Sequence, residues 1–188
     1  YLHKYGGVYS DLDIELLRDP SPLLSGDTEL VFFYQKDPHF RDKRMVDRVA
    51  EFELAEITNA LMASVPGHPF WLFLAEKMMY SAKHKPVLYG KYDRRDAMIF
   101  WTSGPCVLQN ALAEYQLRDP NTKVAFYPPR LWAPMSYDDK ARKCEFILIC
   151  QQKYPQAYFM SHWTGSWNHC EVGTCTGDNI TIVYSLLE

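Results

Sequence analysis

Asp11-Leu12-Asp13 sets two carboxylates two residues apart, directly after the diglycine Gly6-Gly7 and the β-type run Val8-Tyr9-Ser10. On an extended segment side chains alternate between faces, so both carboxylates are expected to share one face. Two hard oxygen donors on one face suit Mn²⁺ or Mg²⁺, which bind one or two carboxylates together with substrate phosphates. Other chemistry uses the same pair. An aspartyl-phosphate phosphatase needs one aspartate as nucleophile and another as acid, but Glu15 stands where that chemistry favours Thr or Val. A structural Ca²⁺ site would gather six to eight oxygens, and no EF-hand-like run is present. An acidic pair at this spacing is also common on exposed turns.

Near the other end lies His162-Trp163-Thr164-Gly165-Ser166-Trp167. The Ser166 hydroxyl and Trp167 indole N–H are donors, and Gly165 permits close backbone approach. Such groups can stabilise charge developing on a departing phosphate. Trp167 would equally well pack in a core, and a histidine ending a strand can simply be hydrogen-bonded. Between these blocks, Asn59 offers an amide for sugar hydroxyls or an ordinary exposed helical amide. His68 and Trp71 read more readily as packing around the breaker cluster Pro66-Gly67-His68-Pro69 than as acceptor contacts.

The elements that must hold these groups alternate in type. Tyr1, Leu2 and Tyr5 share a helical face, and Gly6-Gly7 supplies the positive-φ stop that follows a helix. Five residues cannot nucleate a helix alone, so Tyr1-Tyr5 reads as the last turn of a longer one. Leu30-Tyr34 and Val124-Tyr127 read as strands, the second stopped by Pro128-Pro129. Glu53-Ala63 has helical character. Phe70-Tyr80 is the strongest helix, apolar nearly all round at its start and therefore expected to be largely buried. A further helix starts at Gly104-Pro105, with proline near its first turn. Residues 140–153 are ambiguous, and Ala157-Met160 is a buried strand delivering His162 into a loop. The pattern predicts an α/β fold in one domain, without repeats or linkers.

The 188 residues carry 20 basic and 23 acidic side chains, net charge -3, with 47% hydrophobic and 23% charged residues. That composition excludes a disordered or collagen-like chain, and the lack of basic excess argues against nucleic-acid binding. Aromatic residues make up 15%, enough to line a sugar site as well as fill a core. No run is apolar and long enough to span a bilayer. Five cysteines leave at least one outside any internal pair. As a strand, 144–150 would separate its cysteines by roughly 20 Å; as a helix, by about 9 Å of rise. Both argue against a Cys144–Cys150 bridge. Cys170 and Cys175 could close on each other or on either of these. Asn179-Ile180-Thr181 is an N-glycosylation sequon, or a plain polar turn.

Four blocks in order carry a resemblance. Tyr1 through Asp13 resembles the DxD block of glycosyltransferase family 32. Asn59-Ala60-Leu61-Met62-Ala63-Ser64-Val65-Pro66-Gly67-His68-Pro69 is similar to that family's N-x-x-M-A-S-x-P-G-H-P segment. Thr102-Ser103-Gly104-Pro105 is similar to its T-G-P helix start, with Ser103 inserted, and His162 through Trp167 to its H-x-x-G-S-W. The resemblance implies a GT-A-like fold and a metal-dependent, retaining hexosyltransferase. Its donor would be GDP-mannose; UDP-sugar-using galactosyl-, N-acetylglucosaminyl- and glucosyltransferases share these blocks. It implies that Asp13 binds Mn²⁺ (or Mg²⁺), which bridges the donor phosphates, that Asp11 contacts the ribose or a metal-bound water, and that His162 is a further metal ligand. It places Asn59, Gly104, Gly165, Ser166 and Trp167 at the donor. No carboxylate can be assigned as a covalent nucleophile, so front-face attack is the alternative to a two-step scheme.

The expected partners are a nucleotide-sugar donor and a glycan, glycolipid or protein acceptor. An inactive, transferase-like metal- and sugar-binding module is the competing reading. The resemblance also implies that residues 1–188 are the C-terminal portion of one catalytic domain, its early nucleotide-binding β-α units and a membrane anchor preceding Tyr1. A type II protein of the Golgi lumen is then expected.

Overall fold

The computed structural model describes residues 1–35, 57–84, 94–135, 144 and 146–163, of which 94–97 by backbone alone. In chain order they form α1 (Leu2–Tyr5), β1 (Gly7–Ser10), β2 (Ile14–Leu16), β3 (Leu30–Tyr34), β4 (Ile57–Ser64), α2 (Phe70–His84), α3 (Arg94–Thr102), α4 (Pro105–Arg118), β5 (Val124–Tyr127), α5 (Ile147–Lys153) and β6 (Phe159–Ser161). The fold is mixed α/β. One sheet has the order β1-β4-β3-β5, and β2 pairs with β6 in a separate ribbon. β1 and β3 run antiparallel to β4, whereas β5 runs parallel to β3. Among the described residues no helix is long and apolar enough to cross a membrane.

Alternation along β3 builds two cores from one strand. Leu30 and Phe32 pack with Ile57 against Phe70 and Leu74 of α2 and Leu108, Ala111 and Leu112 of α4. Val31 and Phe33 face the opposite side, with Leu61, Ala63, Trp132 and Phe159. A strand covered on both faces reads as a continuous apolar run, which is why Leu30-Tyr34 was legible. The β2–β6 ribbon adds a third cluster, in which Leu17 and Met160 pack with Met135, Ala157 and the Cys144–Cys150 pair.

Several expectations are corrected. Glu53-Ala63 is not helical where it is described: Ile57–Ser64 is β4. Its Ala, Leu and Met favour helices only weakly, and hydrogen bonds to a strand on each side override that preference. α2 buries just Phe70 and Leu74, while Leu72, Met79 and Tyr80 are exposed. Its neighbours α1, α3 and α4 leave its outer side uncovered. α3 was not anticipated.

Cys144 and Cys150 do form a disulfide, with Cα atoms 5.3 Å apart. The segment is neither one strand nor one helix. Phe146 is extended and α5 starts only after it, so the chain folds back and brings Cys144 beside Cys150. Cys170, Cys175 and the sequon lie outside the described residues.

Candidate functional site

Asp11-Leu12-Asp13 forms a turn, not the extended segment expected. The Ile14 N–H donates to the Asp11 carbonyl at 3.2 Å, and the Asp11 N–H donates to the Ala60 carbonyl at 2.8 Å. The chain thereby leaves one sheet and enters the other ribbon within three residues. Strand alternation therefore does not orient the two carboxylates; the turn does. The Tyr9 hydroxyl donates to Asp11 Oδ1 at 2.7 Å. Burial holds the Asp11 carboxyl above its usual range, and the charge of Asp13 adds to this, while the Tyr9 hydrogen bond opposes it. Donating to this carboxylate, with burial and the charge of Asp11, pushes the Tyr9 phenol up to about 12.

Beyond the turn, β2 pairs antiparallel with β6, Ile14 opposite Ser161 and Glu15 opposite Met160. One step further, the His162 N–H donates to the Asp13 carbonyl at 2.8 Å. Blocks from opposite ends of the sequence are thus joined by a backbone hydrogen bond. His162 Nε2 lies 3.2 Å from Glu15 Oε2, both side chains being half-buried. Immediately after it, Trp163 has φ 49°, the single positive value at a non-glycine residue among those described. Such backbone costs about 1–3 kcal/mol. The Trp163 indole N–H donates to the Met135 carbonyl at 2.8 Å, and its ring packs against Trp132 at 5.7 Å. These contacts hold the residue in place.

Arg18 braces the ribbon from behind. Its guanidinium donates to the carbonyls of Gln151 and Tyr154 (3.1 Å for Tyr154) at the end of α5 and of Ala157 in the turn beyond, and a cation at a helix C-terminus also complements its dipole.

A cleft of about 680 Å³ opens between α1, β1, β4, α2 and the start of α4, within the size range of small-molecule sites. Tyr9, Asn59, Met62, Trp71, Met78 and Gly104 are among its lining residues. Asn59 sits on β4 instead of a helix, and among the described residues no hydrogen bond engages its side-chain amide. Gly104 precedes α4 for a packing reason as well. A Cβ there would lie 2.8 Å from the Phe100 Cα and 3.0 Å from the Ile99 carbonyl.

The structure therefore brings Asn59 and Gly104 together in the cleft, and Asp13 and His162 together on the ribbon. Asp11 links the two through Tyr9. Gly165, Ser166 and Trp167 lie outside the described residues. Among the described residues no three His, Cys, Asp or Glu side chains gather closely enough to hold a metal ion. The backbone contact makes Asp13 and His162 neighbours at the ribbon end, one bearing a carboxylate and the other an imidazole. Two such ligands fit Mn²⁺ or Mg²⁺, whose remaining positions go to substrate phosphates and water.

His68 proves to be a packing residue, whereas Trp71 both packs and lines the cleft. His68 is 6% exposed; its Nδ1 accepts the Phe70 N–H at 3.2 Å, and Nε2 lies 3.9 Å from Glu29. The Trp71 indole donates to the Ser64 hydroxyl at 2.8 Å.

Tyr9 and Glu15 were missed as site residues. Each is two positions from an aspartate of the pair, a spacing that could have flagged both. No protein-family model, curated protein or solved structure matches the chain.

Proposed function

We propose that this chain is the catalytic portion of a metal-dependent, retaining glycosyltransferase of GT-A-like fold. It would transfer a hexose, mannose from GDP-mannose in the first instance, to a glycan, glycolipid or protein acceptor. The observation that carries this reading is the β2–β6 pairing, which sets His162 against Asp13. Nothing local in either motif requires that meeting, and a shared metal site would make use of it.

A divalent cation, when bound, neutralises the charge that develops on a leaving nucleoside diphosphate. Asp13 and His162 would hold it. Asp11, oriented by the Tyr9 hydroxyl, would receive the ribose hydroxyls. Asn59 would hydrogen-bond the sugar in the cleft, with Trp71 and Met62 as apolar walls. Ser166 and Trp167 would add donors to the phosphates, and Gly165 would let the backbone approach. On this reading the chemistry would take place in the Golgi lumen.

The test is Mn²⁺-dependent hydrolysis or transfer with a panel of GDP- and UDP-sugars, comparing the protein with Asp13→Asn. Turnover with GDP-mannose, reduced at least about 100-fold in the variant, is expected. Preference for a UDP-sugar would move the donor to the galactosyl, N-acetylglucosaminyl or glucosyl class. Mn²⁺ binding without turnover of any donor would make the chain an inactive binding module. Activity unchanged in Asp13→Asn would overturn the metal assignment.

A further inference from the structure

We propose that Glu15 is a positioning residue that fixes the tautomer and ring orientation of His162, leaving Nδ1 as the nitrogen with a lone pair for a divalent cation. The tautomer stands on geometry alone; its consequence for metal binding rests on the transferase reading above.

The register explains why the two side chains meet. Asp13 and His162 are neighbours at the end of the ribbon, and Glu15 is two residues along, diagonal to His162. Diagonal neighbours on one face of an antiparallel pair are within reach of long side chains. Glu and His span that gap, with Nε2 and Oε2 3.2 Å apart. An ionised carboxylate can only accept a hydrogen bond, so Nε2 carries the proton in this contact. A neutral imidazole protonated on Nε2 has its lone pair on Nδ1. Metal-ligating histidines commonly donate their other ring nitrogen to a carboxylate in this way, which fixes the ring and raises its basicity.

Two observations separate this role from others. The side chains are 27% and 37% exposed, and exposed ion pairs contribute little stability, so a purely stabilising bridge would gain little here. No three-ligand group forms among the described residues, so Glu15 acts through His162 and not as a third ligand. The backbone that carries the ring is also anchored, by the His162 N–H to the Asp13 carbonyl and by the Trp163 indole on the Met135 carbonyl.

The experiment uses nitrogen-15 NMR of the imidazole nitrogens in the metal-free protein, above the ordinary histidine titration range. Among six histidines, the His162 signals are those lost in His162→Gln. Wild type should show the Nε2–H tautomer. Glu15→Gln, which keeps an acceptor, should retain it, and Glu15→Leu should give a mixture of both. Mn²⁺ affinity, read by electron paramagnetic resonance without any sugar donor, should fall about 10–100-fold in Glu15→Leu and less in Glu15→Gln.

A wild-type Nδ1–H tautomer, or one unchanged in Glu15→Leu, overturns the proposal. A shifted tautomer with unchanged Mn²⁺ affinity overturns the metal consequence. If the tautomer responds to Glu15 but the wild type binds no Mn²⁺, the positioning role stands and the transferase reading fails. Should Glu15→Leu not fold, the wild-type tautomer still decides the first point.

Discussion

Two regions of the molecule look alike as strings of chemistry-bearing residues and differ in what the fold does with them. Pro66-Gly67-His68 carries a histidine in a conspicuous loop, yet its hydrogen-bonding capacity is used by the structure. His68 Nδ1 accepts from the start of α2, its carbonyl accepts from His3 Nδ1, and the Gly67 N–H donates to the His3 carbonyl. Gly6 presses on the same loop, where a Cβ would come within 2.6 Å of the Pro66 nitrogen. The Asp11–Asp13 turn and His162 are placed chiefly by backbone hydrogen bonds, with Tyr9 on Asp11 and Glu15 on His162, and the Asp11, Asp13 and His162 side chains stay half-buried at the surface. A polar side chain consumed by the fold serves stability. One positioned largely through its backbone, and left half-buried, stays within reach of a ligand. The contrast is a better guide to function than residue type.

The sharpest way to break that contrast is at the packed loop. Gly6 has φ 64° and ψ -152°, a region essentially restricted to glycine. Gly6→Ala adds backbone strain to a clash with Pro66 and Ser64, and should cost about 2–5 kcal/mol by denaturant unfolding. A loss under 1 kcal/mol would mean the α1–Pro66 junction is not built as described.

The next largest effect concerns His68. Burial, opposed by the charges of Glu29 and Asp119, holds its imidazole below the usual value of 6.5. The folded state therefore takes up a proton less readily than the unfolded chain. The associated stability is complete above pH 6.5 and is lost as pH falls through the folded value. His68→Ala should lower stability by about 1–3 kcal/mol at neutral pH. It should also flatten the part of the melting-temperature decline that begins below pH 6.5; an identical pH profile in the variant would remove His68 from the structural group.

The smallest effect has the opposite sign and belongs to the carboxylate turn. Asp11 is held above its usual range chiefly by burial, so its ionised form is disfavoured in the folded state. Asp11→Asn keeps an acceptor for Tyr9 and removes repulsion with Asp13. Its melting temperature at neutral pH should match or exceed that of the wild type, while affinity for the nucleotide-sugar donor falls. A clear loss of stability would move Asp11 into the same class as His68.

Much of the scaffold was legible because its signals are local. Leu30-Tyr34 is apolar enough for a strand covered on both faces, Pro105 opens α4 after Gly104, and Gly6-Gly7 ends α1 with positive φ. The errors share a cause. Ile57-Ser64 has residues that tolerate a helix, and only its two hydrogen-bonded neighbours make it a strand. Cys144 and Cys150 looked too far apart because the reading assumed one regular element, and the reversal before α5 is not encoded by a Gly or Pro signal. At the site, the paired aspartates and the histidine were visible singly, whereas Glu15 was read only as a departure from a phosphatase pattern, because its partner is 147 positions away.

By itself, then, the sequence determined the donor atoms, the turn-forming glycines and most of the strands and helices, since these depend on residue type and short-range sterics. Tertiary structure alone decided which donors share a site. That choice depends on pairing β2 with β6, a contact whose energy comes from strands at opposite ends of the chain and leaves no periodicity in either.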